Sequence, residues 1–84
     1  MAHVPSNAEL ARTLARMGVM LEIDGGNPFR VRAYKEGARV VENHGELLAA
    51  LADKPGALEA LPGIGKGIAQ HIRDRVLRGP DGGR

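Results

Sequence analysis

The sequence predicts an all-α domain, a compact bundle of four to five short helices that ends in a helix, a hairpin and a helix. Helix-forming Ala, Leu, Glu and Arg dominate the 84 residues, and aromatic residues contribute only 2 %. β-branched residues do not alternate over any long stretch, whereas apolar residues recur at helical spacing. A chain of this length allows one domain, with a net stability of about 5 kcal/mol.

The first helix is predicted to begin at a capping box formed by Ser6 and Glu9. Four apolar residues then share one face of a helix that ends near Asp24, before two glycines: Leu10, Leu14, Met17 and Leu21. Asn27 and Pro28, an N-cap residue followed by proline, begin a second helix that ends near His44.

The second helix is predicted to have a core face and a separate basic face. The core face contains Phe29, Ala33, Gly37 and Val40. The basic face contains Arg32, Lys35 and Arg39, with Glu36 and Glu42 near enough to neutralise part of its charge. Such a face is equally typical of a solvated helix surface. Residues 46–52 supply a short third helix whose core residues are Leu47, Leu48 and Leu51.

The last motif spans about residues 57–78 and is built around the segment LPGIGKG, residues 61–67. Pro62 disfavours helix at the residue before it, and the glycines allow the chain to reverse. The N–H groups of Gly63, Gly65 and Lys66 are expected to emerge at the N-terminus of the final helix, where the helix dipole favours an anion. The same pattern also suits a tight connection between two packed helices.

In the final helix, four residues share the predicted core face: Ile68, Ala69, Ile72 and Val76. Lys66 and Arg73 lie together on the opposite face. Val19, Ile23 and Leu77 fall outside the apolar faces, so they are expected to be exposed or to meet a neighbouring domain. Residues 1–79 form the predicted domain, and residues 80–84 have the composition of a flexible tail or linker.

Composition excludes several classes of site. The chain has no cysteine, and its three histidines lack the spacing of a zinc-binding helix. No apolar run approaches the roughly 20 residues of a membrane span, and the N-terminus lacks an export signal, which favours the cytoplasm.

Net charge is only +2, but nine of the twelve cationic residues are arginine, whose forked guanidinium suits phosphate oxygens.

Two stretches together resemble the N-terminal domain of family X DNA polymerases, especially the bacterial type. They are NPFRVRAY, residues 27–34, and LPGIGKGIA, residues 61–69, and their order and separation also fit. The likeness extends over residues 7–79. It implies a helix-hairpin-helix domain of DNA repair, associated with the nucleoid, that binds DNA at a gap or nick without sequence specificity and grips a 5′-phosphate.

The resemblance also implies roles for individual residues. The hairpin residues that would contact a DNA phosphate are Gly63, Ile64, Gly65, Lys66 and Gly67. Arg30 and Tyr34 would line the pocket for the 5′-phosphate, although Tyr34 also suits a core position with a solvated hydroxyl. The remaining predicted DNA contacts come from the helical faces described above and not from the resemblance: Arg32, Lys35, Arg39 and Arg73. A potassium or sodium ion would lie between the phosphate and the main-chain carbonyls of Glu59, Leu61 and Ile64.

Departures from the family pattern argue against catalysis by this chain. Some animal members remove a 5′-deoxyribose phosphate with a lysine at the position of His71, and an imidazole cannot form the required iminium. Gln70 replaces the neighbouring glutamate, and the paired carboxylates of a polymerase site are absent. We therefore predict no catalytic residue, and a monomer that acts beside a polymerase domain. Two alternatives remain: residual lyase activity through Lys66, and a protein-interaction module that uses Val19, Ile23 and Leu77.

Overall fold

The computed structural model describes residues 4–78, apart from the side chain of Arg78. It contains α1 (Asn7–Ile23), α2 (Pro28–Glu42) and α3 (Lys66–Arg78), with a short 3-10 helix, η1 (Leu48–Leu51), between α2 and α3. Within this described range there is no strand, which confirms the all-α prediction. The predicted number of four to five helices is too high. The tail predicted at residues 80–84 lies outside the described residues.

The two missing helices correspond to short segments between helix breakers. Residues 46–52 form only the single 3-10 turn of η1. Residues 57–61 form hydrogen-bonded turns, in which the N–H of Ala60 donates to Gly56 at 3.1 Å and that of Leu61 donates to Leu58 at 3.1 Å. Pro55 and Pro62 bound this segment, and so short a stretch does not offset the cost of helix nucleation. The first arm of the hairpin motif is therefore a turn.

Local signals account for both ends of α1. The Ser6 hydroxyl accepts the N–H of Glu9 at 3.1 Å, and the Glu9 carboxylate accepts the N–H of Ser6 at 3.1 Å, so the predicted capping box is present. Gly25 ends the helix in the left-handed region, with φ of 73°. Its neighbour Gly26 donates to the carbonyl of Leu21 at 2.7 Å.

The buried face of α2 differs from the predicted one. The buried side chains are those of Val31, Tyr34, Ala38 and Val41, whereas Phe29 is 80 % exposed and Ala33 is also exposed. Gly37 is buried as predicted and Val40 is half-buried. Both sets of positions obey helical spacing, so periodicity alone could not choose between them. The choice depends on α1 and α3, which contact α2 from two sides.

Small residues set the distances between α2 and its neighbours. A Cβ at Gly18 of α1 would lie 3.2 Å from the Cγ of Lys35, and a Cβ at Gly37 would lie 3.2 Å from the Cγ2 of Ile68. A side chain at either position would therefore require its neighbour to shift by a few tenths of an ångström. The side chains that fill the core with almost no exposure are Leu10, Leu14, Val41, Leu48, Leu58 and Ile72.

The other predicted apolar positions have mixed outcomes. Ile68, Ala69 and Ile72 of α3 are buried and Val76 packs against them, as predicted. Val19, Ile23 and Leu77 are exposed, also as predicted. The prediction for Leu47 is wrong, because this residue precedes η1 and is exposed.

Among the described residues, no helix combines the length and apolar character needed to span a membrane.

Asn7 connects the start of α1 to the segment that follows α2. Its side-chain oxygen accepts the N–H of Leu48 at 2.9 Å, and its amide donates to the carbonyls of Glu46 at 2.7 Å and His44 at 3.3 Å. These bonds satisfy backbone groups in a segment that has almost no regular structure. No local sequence pattern indicates this role of Asn7, since its partners lie about forty positions away.

Candidate nucleic-acid interface

A groove of about 230 Å³ separates the first turns of α2 from the hairpin before α3, and we call it the hairpin groove. It is lined by Arg30, Ala33, Tyr34, Gly63, Gly65, Gly67 and Ile68. The two stretches on which the sequence resemblance rests therefore meet at one place. Their residues form opposite walls of the same concave surface.

The hairpin turn requires glycine at residue 63. Gly63 has φ of 86°, and a Cβ at this position would lie only 2.8 Å from the Cγ2 of Val40. The turn is closed by a hydrogen bond of 3.1 Å from the N–H of Ile64 to the carbonyl of Leu61. Ile64 is also buried, and its N–H is bonded within the turn, while its predicted contact with phosphate stays a prediction.

Neither backbone conformation nor packing within the protein requires glycine at residues 65 and 67. Neither has a positive φ, and a Cβ built on either residue meets nothing within 4 Å. Both line the hairpin groove and are exposed. Their lack of a side chain therefore leaves the backbone accessible from outside.

Unpaired donors and positive charge coincide at this accessible backbone. Among the described residues, the N–H groups of Gly63, Gly65, Lys66 and Gly67 have no hydrogen-bond partner. Gly65 immediately precedes α3 and its carbonyl accepts the N–H of Ala69 at 2.9 Å, so these groups lie at the positive end of the helix dipole. The first turn of α3 contains no acidic residue, while Lys66 is exposed there. This arrangement favours an anion.

Arg30 and Tyr34 form the opposite wall of the groove. Arg30 is exposed, and its side chain makes no ion pair or hydrogen bond within residues 4–78. Tyr34 is 3 % exposed and belongs to the core cluster, and its ring meets that of His71 edge-on at a centroid distance of 5.3 Å. Its hydroxyl has no hydrogen-bond partner in the described structure. Tyr34 is thus both a core aromatic and a groove residue.

Arg73 is not the outward-facing partner of Lys66 that the helical wheel predicts. Its guanidinium binds both oxygens of Glu59, at 2.8 and 2.6 Å, and the two side chains are 18 % and 31 % exposed. This fork-to-carboxylate pair connects the first arm of the hairpin to α3. The hydrogen bonds from Arg73 are the main cause that lowers the pKa of Glu59 to about 2, followed by a backbone hydrogen bond at Glu59 and by the charges of Arg73 and Lys66.

The basic face of α2 lines a separate depression of about 760 Å³ near the end of α1. It contains Arg32, Lys35 and Arg39, as predicted, but also two carboxylates. Lys35 pairs with Glu22 at 3.0 Å and Arg39 pairs with Glu36 at 2.7 Å, which raises the pKa of Arg39. No residue lines both this depression and the hairpin groove. Only Arg32 on this face lacks a described ion pair.

Comparison with known proteins identifies the family of this chain. The sequence profile of the helix-hairpin-helix domain family matches residues 5–80. The chain belongs to this family. It is also 31 % identical over 71 residues to a protein described as DNA polymerase/3'-5' exonuclease PolX from Bacillus subtilis (strain 168), a match that covers 84 % of this chain and 12 % of that protein. No solved structure matches. The predicted resemblance to family X polymerases is confirmed.

The helix-hairpin-helix domain offers oxygen ligands rather than a side-chain metal site. Among the described residues, no three His, Cys, Asp or Glu side chains are grouped so that they could hold a metal ion. The carbonyls of Glu59 and Ile64 accept no backbone hydrogen bond, and that of Leu61 accepts one, from Ile64. Each carbonyl has two lone pairs, so all three retain the acceptor capacity that the predicted potassium or sodium site needs, and the site itself stays a prediction.

Proposed function

We propose that this helix-hairpin-helix domain binds the phosphate backbone of DNA without reading bases, and holds a 5′-phosphate at a gap or nick. It would act in DNA repair, beside chromosomal DNA, as a monomeric part or stand-alone relative of a family X polymerase. The observation that carries the proposal is the accessible backbone at Gly65 and Gly67. The positions are glycine although neither conformation nor packing requires it, which suits the close approach of a phosphate.

The charges around the hairpin groove support a phosphate as the ligand. Free N–H groups and the dipole of α3 act from one wall, with Lys66 beside them, and Arg30 acts from the other. The hydroxyl of Tyr34 adds one donor. A terminal phosphate carries more negative charge than an internal one, so the groove should favour a phosphorylated 5′ end. Potassium or sodium at the carbonyls of the hairpin would add a further positive charge.

Contacts of this kind position DNA but do not specify sequence. If the groove and its surroundings neutralise two or three phosphates, we expect Kd between about 10⁻⁴ and 10⁻⁶ M and a slope of log K against log salt near −2 to −3. Random duplexes of equal structure should bind equally. The family relative spans far more than this chain does, so the chemistry of a polymerase or exonuclease is not part of this proposal.

The test compares Gly65→Val with Gly45→Val. A Cβ at Gly45 also meets nothing within 4 Å, and Gly45 lies outside the groove, so this variant controls for the added side chain itself. Fluorescence anisotropy with a gapped duplex, with and without its 5′-phosphate, should show weaker binding for Gly65→Val only. Circular dichroism establishes that both variants are folded.

Two results would contradict the proposal in different ways. A folded Gly65→Val variant that binds DNA as well as Gly45→Val would show that the hairpin backbone does not hold phosphate. Equal affinity for the phosphorylated and unphosphorylated gapped duplexes would remove the 5′-phosphate pocket assigned to Arg30 and Tyr34, while leaving general backbone binding intact.

A further inference from the structure

We infer that a second phosphate-binding site lies between α1 and α3, in a pocket of about 150 Å³. We call it the arginine pocket, and it is lined by Glu9, Arg12, Thr13, Arg16 and Arg75. The assignment of its phosphate to DNA rests on the proposed function of the domain. The pocket shares no lining residue with the hairpin groove or with the basic depression of α2.

The strongest indication of a ligand is the incomplete bonding of Arg75. Its side chain is only 19 % exposed, yet its contacts are long: Nε lies 3.5 Å from the hydroxyl of Thr13 and Nη2 lies 4.0 Å from the carboxylate of Glu9. Nη1 is buried and has no hydrogen-bond partner among the described residues. A guanidinium that is largely buried and so incompletely bonded is costly, so an oxygen-bearing anion in this pocket would stabilise Arg75 by accepting from Nε and Nη2, whose present contacts are long.

The charge of the pocket also selects an anion. Arg12 and Arg16 are one helical turn apart on α1, both are exposed, and neither side chain makes an ion pair or hydrogen bond within residues 4–78. With Arg75 they bring three positive charges against the single carboxylate of Glu9, which also accepts the N–H of Ser6 in the capping box. Three guanidinium groups around a small pocket match the several oxygens of one phosphate.

The position of the pocket favours a phosphate of DNA rather than a free ion. Arg75 is nine residues beyond Lys66 on α3, which corresponds to roughly 13 Å along the helix axis and about half a turn around it. If the hairpin groove holds DNA as proposed, a phosphate in the arginine pocket would therefore belong to a different part of that DNA. The domain would then hold its DNA at two separated points, and this would orient it relative to the gap.

NMR titration of the 84-residue chain distinguishes the sources of phosphate. Two ligands are added separately: inorganic phosphate and a gapped duplex with a 5′-phosphate. We expect the side-chain Nε–Hε signals of Arg12, Arg16 and Arg75 to shift with both. Shifts with inorganic phosphate alone would overturn the assignment to DNA, and no shift with either would overturn the site itself.

The amide signals of Gly65 and Gly67 in the same spectra separate this inference from the proposed function. Glycine shifts without arginine shifts would contradict the arginine pocket and leave the hairpin groove intact. Arginine shifts with DNA but without glycine shifts would support the pocket and contradict the hairpin groove. The absence of both on addition of DNA would contradict the two proposals together.

Binding measurements on variants give an independent test. The double variant Arg12→Gln/Arg16→Gln should lower the magnitude of the salt slope by about 0.9, the amount expected for one phosphate on duplex DNA. Lys54→Gln removes an exposed cation outside both sites and should leave the slope unchanged. If the double variant has the same slope as Lys54→Gln, the arginine pocket does not bind DNA.

Discussion

Replacing Gly63 by alanine should destabilise the domain strongly, for two separable reasons. A φ of 86° places the new side chain in the left-handed region, which costs an L-residue about 1–2 kcal/mol. The added Cβ would also lie 2.8 Å from the Cγ2 of Val40, a β-branched side chain with little rotamer freedom in α2. Overpacking of this kind costs about 1–3 kcal/mol. The total of about 2–5 kcal/mol is comparable to the whole stability of so small a domain.

Thermal and urea unfolding followed by circular dichroism measures this effect. The loss corresponds to a decrease in Tm of roughly 10–30 °C for a domain of this size. Gly65→Ala is the matched control: it has no positive φ and no close neighbour, so its cost should stay below about 1 kcal/mol. In a Val40→Ala background, the clash is removed and only the dihedral cost of about 1–2 kcal/mol should remain.

Two outcomes would refute this reasoning. If Gly63→Ala were as stable as Gly65→Ala, neither the dihedral strain nor the contact with Val40 would be real. If Gly63→Ala cost the same in the presence and absence of the Val40 side chain, the contact would contribute nothing, and the whole effect would come from the backbone.

Three further predictions concern stability and chemistry. Because the pKa of Glu59 is lowered from 4.5 to about 2, its pair with Arg73 stabilises the fold fully above about pH 4.5 and progressively less as pH falls toward 2. Glu59→Gln should therefore flatten the acid limb of urea midpoints measured from pH 2 to 7. Asn7→Ala leaves the N–H of Leu48 unpaired and should cost about 1–3 kcal/mol in thermal unfolding. Borohydride trapping on abasic DNA should give no covalent adduct, since His71 stands at the position where the lyase members of the family have their lysine.

Each of these has a result that contradicts it. An unchanged acid limb in Glu59→Gln would show that the pair with Arg73 does not lower the carboxyl pKa. Asn43→Ala is the control for Asn7→Ala, because the exposed amide of Asn43 donates only to Arg39 at the end of its own helix. It should change stability by less than about 0.5 kcal/mol. An equal loss at Asn7 and Asn43 would exclude a role of Asn7 in connecting distant segments. A trapped adduct that disappears in Lys66→Ala would establish lyase chemistry.

Some residues of the candidate sites could be predicted from the sequence, and others depend on contacts between distant parts of the chain. The sequence predicted Arg30, Tyr34 and the hairpin glycines as site residues, since each belongs to a short stretch with a recognisable pattern, and the structure brings them to one groove. It misplaced Arg73, because the carboxylate of Glu59 that binds it lies on another arm of the motif. It also gave no indication of the arginine pocket, whose residues come from α1 and α3 and are separated by about sixty positions.

The sequence by itself determined the features that depend on neighbouring residues. The capping box of α1, its end at Gly25, the start of α2 at Pro28 and the hairpin before α3 all follow from local backbone chemistry. Tertiary structure alone decided which face of α2 is buried, because two faces obey the same periodicity and only packing against α1 and Ile68 distinguishes them. It also decided which cations remain free for an anion, since ion pairing depends on side chains that are brought together from distant positions.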